Sequence, residues 1–259
     1  MKRKITILLT IFILLLSLCA CGGKDRSAPD EGTISLRLID GAGTGSLVLA
    51  GDAVYTVSLE DVSVLVGEEK GSTDDLFNGM MVTINYRGAI LDDSPRQFEE
   101  VVSIAIPCPR SEMVRDPNGA FYDLCSLYLN VLDTLWHTSV GMNQDVEYIS
   151  VDLSSAPGAI TEEEKSAIAW AFANRHESIP LELSIDELIE NGYINLSELK
   201  WKRGELFTIA AGSDTSTVGS VSFLARKWRS GNEAVSLLGC TSDAQGKDSW
   251  EEFAIGRRS

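Results

Sequence analysis

The sequence predicts an α+β chain in two parts. Residues 33–106 form a small antiparallel β-barrel or sandwich, and residues 118–259 an α+β domain with two main helices and an antiparallel sheet. Three observations predict this. Before Ile106, apolar residues alternate with polar ones in short runs separated by glycine turns. Between Tyr122 and His176 they recur at helical spacing, and from Leu206 onward the alternation returns in longer runs. At about 100–150 residues per domain, 259 residues suit one large domain or two small ones. Acidic side chains number 38 against 22 basic, a net charge of -16. Such a surface excludes a nucleic-acid binder, which needs clustered Lys and Arg to hold phosphates.

Lys2, Arg3 and Lys4 open the chain, and residues 5–18 are apolar except for Thr10 and Ser17. A run of 14 residues suits the hydrophobic region of an export signal and falls short of the about 20 needed to cross a bilayer. It closes on Leu18-Cys19-Ala20-Cys21-Gly22, which resembles the lipobox of bacterial lipoproteins. Residue by residue, the resemblance makes Leu18 the apolar position and Ala20 the small one, with cleavage between Ala20 and Cys21 and lipidation of Cys21. Cys19 as the anchor would put the bulky Leu18 next to the cut. The implied product carries a diacylglycerol thioether with palmitate-class chains, and two chains meet the requirement for stable anchoring. Residues 1–20 are thus expected to be a signal peptide. Residues 21–32, rich in glycine, charge and proline, are the lipidated cysteine and a flexible tether.

In the first folded part, Val82, Ile84 and Tyr86 alternate with Thr83, Asn85 and Arg87, and Tyr55, Val57 and Leu59 with Thr56 and Ser58. Further strands are predicted over 33–39, 46–50, 62–66 and 101–106. A short helix falls around 72–77, with Ser72 or Thr73 as its cap and Gly79 as its stop. The strand Val54-Tyr55-Thr56-Val57-Ser58, the stretch Asn78-Gly79-Met80-Met81-Val82-Thr83-Ile84 and the segment GAILDDSPRQF (Gly88 to Phe98) together resemble the OB-like β-barrel domains of uncharacterised Gram-positive lipoproteins. In that family a G-x-I-x-x-S-x-P-x-Q stretch precedes the last strand; here Ser94 and Pro95 are adjacent. The resemblance implies an OB-like fold over about 75 residues and no reaction.

Residues 107–117, rich in proline and charge, read as a linker. Leu124, Leu127, Tyr128, Val131, Leu132 and Leu135 then define one helix over 122–136. Thr161 and Glu164 form a capping box for a second, running to about His176 with Ile168, Ala171 and Phe172 on its apolar face. Ser184 and Glu187 form another, for a short helix ending at Asn191-Gly192. Strands are predicted at 147–153, 206–211, 218–228 and 234–241, with a last edge strand at 250–255. Residues 128–136, 162–172, 186–193 and the Lys227-Trp228-Arg229-Ser230-Gly231 segment also resemble carboxy-terminal domains of uncharacterised lipoproteins, which carry no assigned chemistry.

No catalytic, cofactor or metal signature emerges. His137 and His176 each fall at a predicted helix end, where a cationic ring suits the dipole. Ser197 and Lys200 match S-x-x-K without a downstream K-T-G, in a polar stretch. The glycine-rich segment from Gly41 to Ser46 lacks G-x-G-x-x-G spacing and sits between strands, so it reads as a loop. The acidic runs lack calcium-loop spacing. Beyond the anchor, Cys108, Cys125 and Cys240 allow at most one disulfide, and Cys125 reads as a buried core thiol. The five tryptophans fall between Trp136 and Trp250 and read mainly as core, with Trp201 the most surface-like. Lys227, Arg229, Arg257 and Arg258 suggest a local basic patch.

The expectation is therefore a binding, sensor or accessory protein of the cell envelope, held on the extracytoplasmic face of the cell membrane by the lipid on Cys21. Its partner is an envelope protein or small ligand and not a nucleic acid. The alternative is an envelope hydrolase using carboxylates or an unrecognised serine. A solute receptor of a transporter fits the anchor but not the element pattern, which lacks repeated βα units.

Overall fold

The first strands pair as the alternation requires. In the computed structural model, which describes residues 31–109, 123–212, 220–243 and 252–259, strands β1 (Glu31–Asp40), β2 (Ser46–Ala50) and β3 (Val54–Ser58) form an antiparallel meander. After the small β4 (Ser63–Val66) and β5 (Glu69–Lys70), two long strands follow, β6 (Met81–Leu91) and β7 (Arg96–Ile106). The order β3-β2-β1-β6-β7 closes on itself through a parallel β3–β7 pairing, giving a five-stranded OB-like barrel. Strand β1 starts at Glu31, inside the stretch read as tether. The short helix at 72–77 is a single 3-10 turn, Thr73–Asp75, boxed by Ser72 and Asp75.

The second part comprises α1 (Leu124–Thr138), β8 (Tyr148–Asp152), α2 (Glu162–Arg175), β9 (Ile179–Leu181), α3 (Ile185–Glu190), β10 (Gly204–Ala211), β11 (Ser220–Ser230), β12 (Glu233–Asp243) and β13 (Arg257–Arg258). Its sheet runs β13-β12-β11-β10-β8-β9. The antiparallel meander β10-β11-β12 forms one half, as the long alternating runs predict. The other half is parallel, because β8 and β9 are joined through α2 and β10 enters on the far side of β8. The edge strand expected at 250–255 lies later, at Arg257–Arg258 beside Leu237 and Leu238, with one isolated bridge from Ala254 to Thr241. Trp250 falls outside the described residues.

Strand β2 (SLVLA) is apolar on both faces because both are used. Leu47 and Leu49 fill the barrel, while Val48, Ala50 and Ile39 of β1 join the core beneath α1 and α2. The barrel and the helical layer thus share a core, and residues from Glu31 onward make one unit. Ion pairs close both ends of the joint. Arg37 of β1 meets Glu164 of α2 at 2.7 Å, and Arg175 at the other end of α2 meets Asp40 of β1 at 2.6 Å and also pairs with Asp133 of α1. The opposite face of the second sheet carries a smaller core of Leu188, Ile194, Trp201, Leu206 and Trp228.

Candidate functional site

Closure of the barrel is incomplete, and the gap forms a groove. The β3–β7 ladder holds only Tyr55–Arg96 and Thr56–Gln97, and the β4–β7 ladder begins at Ser63–Ser103. Between them, among the described residues, Phe98 to Val102 of β7 have no strand on that edge. The chain leaves the barrel wall there because β3 ends at Ser58 and a turn through Asp61, at φ 59°, carries it to β4. Leu59 N donates to Gly45 O at 2.9 Å, tying this turn to the β1–β2 loop. The glycine-rich segment from Gly41 is that loop, with Gly41 at φ 97°.

The groove has a volume of about 530 Å³ and is lined by Val57, Val62, Phe98 and Val101 together with Glu60, Asp61, Glu99 and Glu100. Phe98 is set by aromatic packing, its ring 5.5 Å from Tyr55 and 5.1 Å from Tyr86. Two of the acids are engaged: Glu99 accepts from Ala89 N at 3.0 Å, and Glu100 pairs with Arg87 at 3.2 Å. Among the described residues the carboxylates of exposed Glu60 and Asp61 have no cationic partner. Sequence reading missed this groove, because a gap in a ladder depends on where two distant strands stop pairing. Its one local trace was the polar break after Ser58.

A second cavity of about 310 Å³ lies where the barrel meets the start of α2, lined by Asp52, Asp93, Arg96, Glu162, Glu163 and Glu182 among others. Arg96 holds Asp52 at 2.9 Å, and Tyr55 Oη donates to Asp52 at 2.5 Å. The hydrogen bond from Tyr55, with the Arg96 charge, holds the Asp52 carboxyl below its ordinary value. Burial and the bond to Asp52 push the Tyr55 phenol up. Despite the many acids, no three His, Cys, Asp or Glu side chains among the described residues converge as a metal site would require.

The expected basic patch is corrected. Lys227 is completely buried and Arg229 is 9% exposed, whereas Arg257 and Arg258 are exposed on β13. The reason lies in the period of β11: Val221, Phe223, Ala225, Lys227 and Arg229 occupy one face, so both cations continue the inward row. There they satisfy oxygens of the turn after α1 and of the chain leading into β10. Lys227 Nζ donates to Ser139 O at 3.3 Å and to Asn143 Oδ1, and Arg229 donates to Met142 O, to Gln144 O at 2.7 Å and to Lys202 O at 2.9 Å. Trp201, read as the most surface-like of the five tryptophans, is 2% exposed and belongs to the core with Trp228 and Leu206 on the other face of the sheet.

Other sequence candidates do not assemble into a catalytic group. His137 sits exposed in the last turn of α1 with Nδ1 2.7 Å from Asp133 O, while His176 caps α2 with its ring stacked on Trp136 at 3.8 Å. Ser197 donates to Asn195 Oδ1 at 2.7 Å, and Lys200 faces Glu233 at 3.5 Å. Cys125 and Cys240 are buried free thiols and Cys108 is a half-buried one. Cys21 and Ala20 lie outside the described residues, as do residues 110–117 of the expected linker and the five that follow it.

No family model, curated protein or solved structure matches the chain. The site's own geometry is therefore what bears on function.

Proposed function

We propose that this chain is a lipid-anchored binding protein of the bacterial cell envelope, of the kind found in Gram-positive lipoproteins. In this reading the signal peptide is removed after Ala20, Cys21 carries the diacylglycerol, and the folded residues face outward from the membrane. The observation that carries the address is the basic start, the 14-residue apolar run and the Leu18-Cys19-Ala20-Cys21 sequence in that order. No helix among the described residues is long and apolar enough to cross a membrane, so attachment rests on the lipid in this reading. The binding role draws its support from the groove beside β7, which offers strand edge, apolar floor and unpaired charge in one place.

The address is tested by metabolic labelling with an alkyne-tagged palmitate in a bacterial host. The expected result is label on the wild type and on Cys19→Ala, with none on Cys21→Ala, which leaves the membrane fraction. Label retained by Cys21→Ala would overturn it. A hydrolase acting through carboxylates would have its seat in the 310 Å³ cavity, whose lining includes Asp93, Glu162, Glu163 and Glu182. That second reading stands only if an activity against wall glycans or peptides is lost in Glu162→Gln, Glu163→Gln or Glu182→Gln.

A further inference from the structure

We propose that the groove beside β7 is a strand-accepting slot, which takes an extended, Lys- or Arg-bearing segment of a partner protein as an added β-strand. The inference deepens the binding role proposed above and rests on it. The physical starting point is the interrupted ladder. Strand β7 is held by β6 along one edge, but on the other it is paired only to Gln97 and again from Ser103. Within these five residues the backbone groups that alternate away from β6 have no strand among the described residues to pair with, and an open strand edge is a template for another chain. At about 3.3 Å per residue the slot accepts some four or five residues of extended peptide.

The walls decide which peptide. Side chains of a strand alternate, so an inserted segment turns one set toward the floor and the other toward the rim. The floor is apolar, built from buried Val57 with half-buried Phe98, Val62 and Val101. The rim holds Glu60 and Asp61 on one side and Glu99 and Glu100 on the other. Among the described residues, only Glu100 of these four is matched by a cation, Arg87, which is shared with Glu31. An anionic or nucleic-acid ligand would meet repulsion here. A segment alternating apolar and basic residues meets complementary surfaces on both faces, and its affinity falls with salt because the rim charges are exposed.

The test uses the detergent-solubilised full-length protein and fluorescence anisotropy with labelled octapeptides. One alternates Lys and Val; a second alternates Glu and Val. Two further Lys-Val peptides carry N-methyl groups on every Lys or on every Val, removing the N–H donors of one edge at a time. The expected result is binding by the Lys-Val peptide and none by the Glu-Val peptide. One N-methylated version should lose about tenfold or more in affinity while the other keeps it, since only one edge of an added strand meets β7. The Glu60→Gln, Asp61→Asn double variant, which removes both charges and keeps a residue that tolerates the left-handed turn, should bind several-fold more weakly at unchanged Tm. Equal binding of both N-methylated peptides would show attraction by charge alone and overturn the slot. Absence of any Lys-Val binding would also overturn it. If the same protein is then stabilised thermally by a peptidoglycan fragment or a sugar, the binding role survives and only the strand-addition inference fails.

Discussion

The Glu205 carboxylate and the Lys227 ammonium lie 3.2 Å apart on neighbouring strands, and neither side chain has any exposed surface. Trp136 and Phe207 flank the ammonium at 5.1 and 5.7 Å. Burial pushes the Glu205 carboxyl above its ordinary value and the Lys227 ammonium below its own, each partly offset by the other's charge. The pair is costly to desolvate and yet fixes the α1–β8 connection onto the sheet through Ser139 and Asn143.

Breaking this pair on one side is expected to destabilise by about 3–5 kcal/mol, whereas the double variant Glu205→Gln, Lys227→Met should come within about 1–2 kcal/mol of wild type. The pH dependence has a defined sign. Glu205 binds its proton more tightly folded than unfolded, so its contribution declines as pH rises from 4.5 through the raised folded value. Lys227 binds its proton less tightly folded, so stability recovers as pH climbs from the lowered value to 10.5. Urea titrations of wild type and double variant across pH should differ by a curve with both slopes. A flat difference would refute the pair's buried, coupled state.

Asp123 caps α1 and locks the barrel to it. Its carboxylate accepts from Cys125 N at 3.1 Å, Ser126 N at 3.2 Å and the Ser126 hydroxyl, and it is almost fully buried. Gly79 of the barrel sits against it at φ 90°, where an added Cβ would come within 2.4 Å of the carboxylate. Asp123→Ala is expected to cost about 1–2 kcal/mol and Asp123→Asn less. Gly79→Ala should cost roughly 1–3 kcal/mol, since it strains the backbone as well as the contact. Denaturant midpoints at constant m-value measure both.

The shared core predicts that barrel and helical layer unfold together. All five tryptophans lie beyond residue 135, so indole fluorescence reports only the second part. Leu49→Ala, inside the barrel, should lose about 2–5 kcal/mol and move the tryptophan transition by the same amount as the circular-dichroism transition. A tryptophan transition that stays in place would mean that the barrel unfolds alone.

Thiol reactivity should separate the cysteines. Burial pushes the Cys240 thiol up to about 11 and the Cys125 thiol higher still, where the Asp123 and Glu164 charges add to the effect. Thiolate attacks, so iodoacetamide at pH 8 should label half-buried Cys108 in the native protein and reach Cys125 and Cys240 only after unfolding. Native labelling of Cys125 would contradict its placement.

Much of the fold was legible because the patterns are local. Alternation located β2 to the residue and β3 to within one, and the boxes at Thr161 and Ser184 marked where α2 and α3 begin. The misplaced basic patch and the depth of Trp201 share a cause. Lys227 and Arg229 looked like surface cations because residue type was weighed above position, although they extend the inward row of Val221, Phe223 and Ala225. Trp201 sits in a polar neighbourhood along the chain and in an apolar one in space.

The sequence by itself determined most element types and the strand-rich, largely antiparallel character of the first part, since each is written in residues a few positions apart. Tertiary structure alone decided that the barrel and the helices share a core, that β8, β9 and β10 run parallel, and that β7 keeps an open edge between Gln97 and Ser103. Those outcomes depend on which distant strands come to lie side by side and where their ladders stop. That is settled by the competition of all apolar faces for burial and by no short stretch of chain.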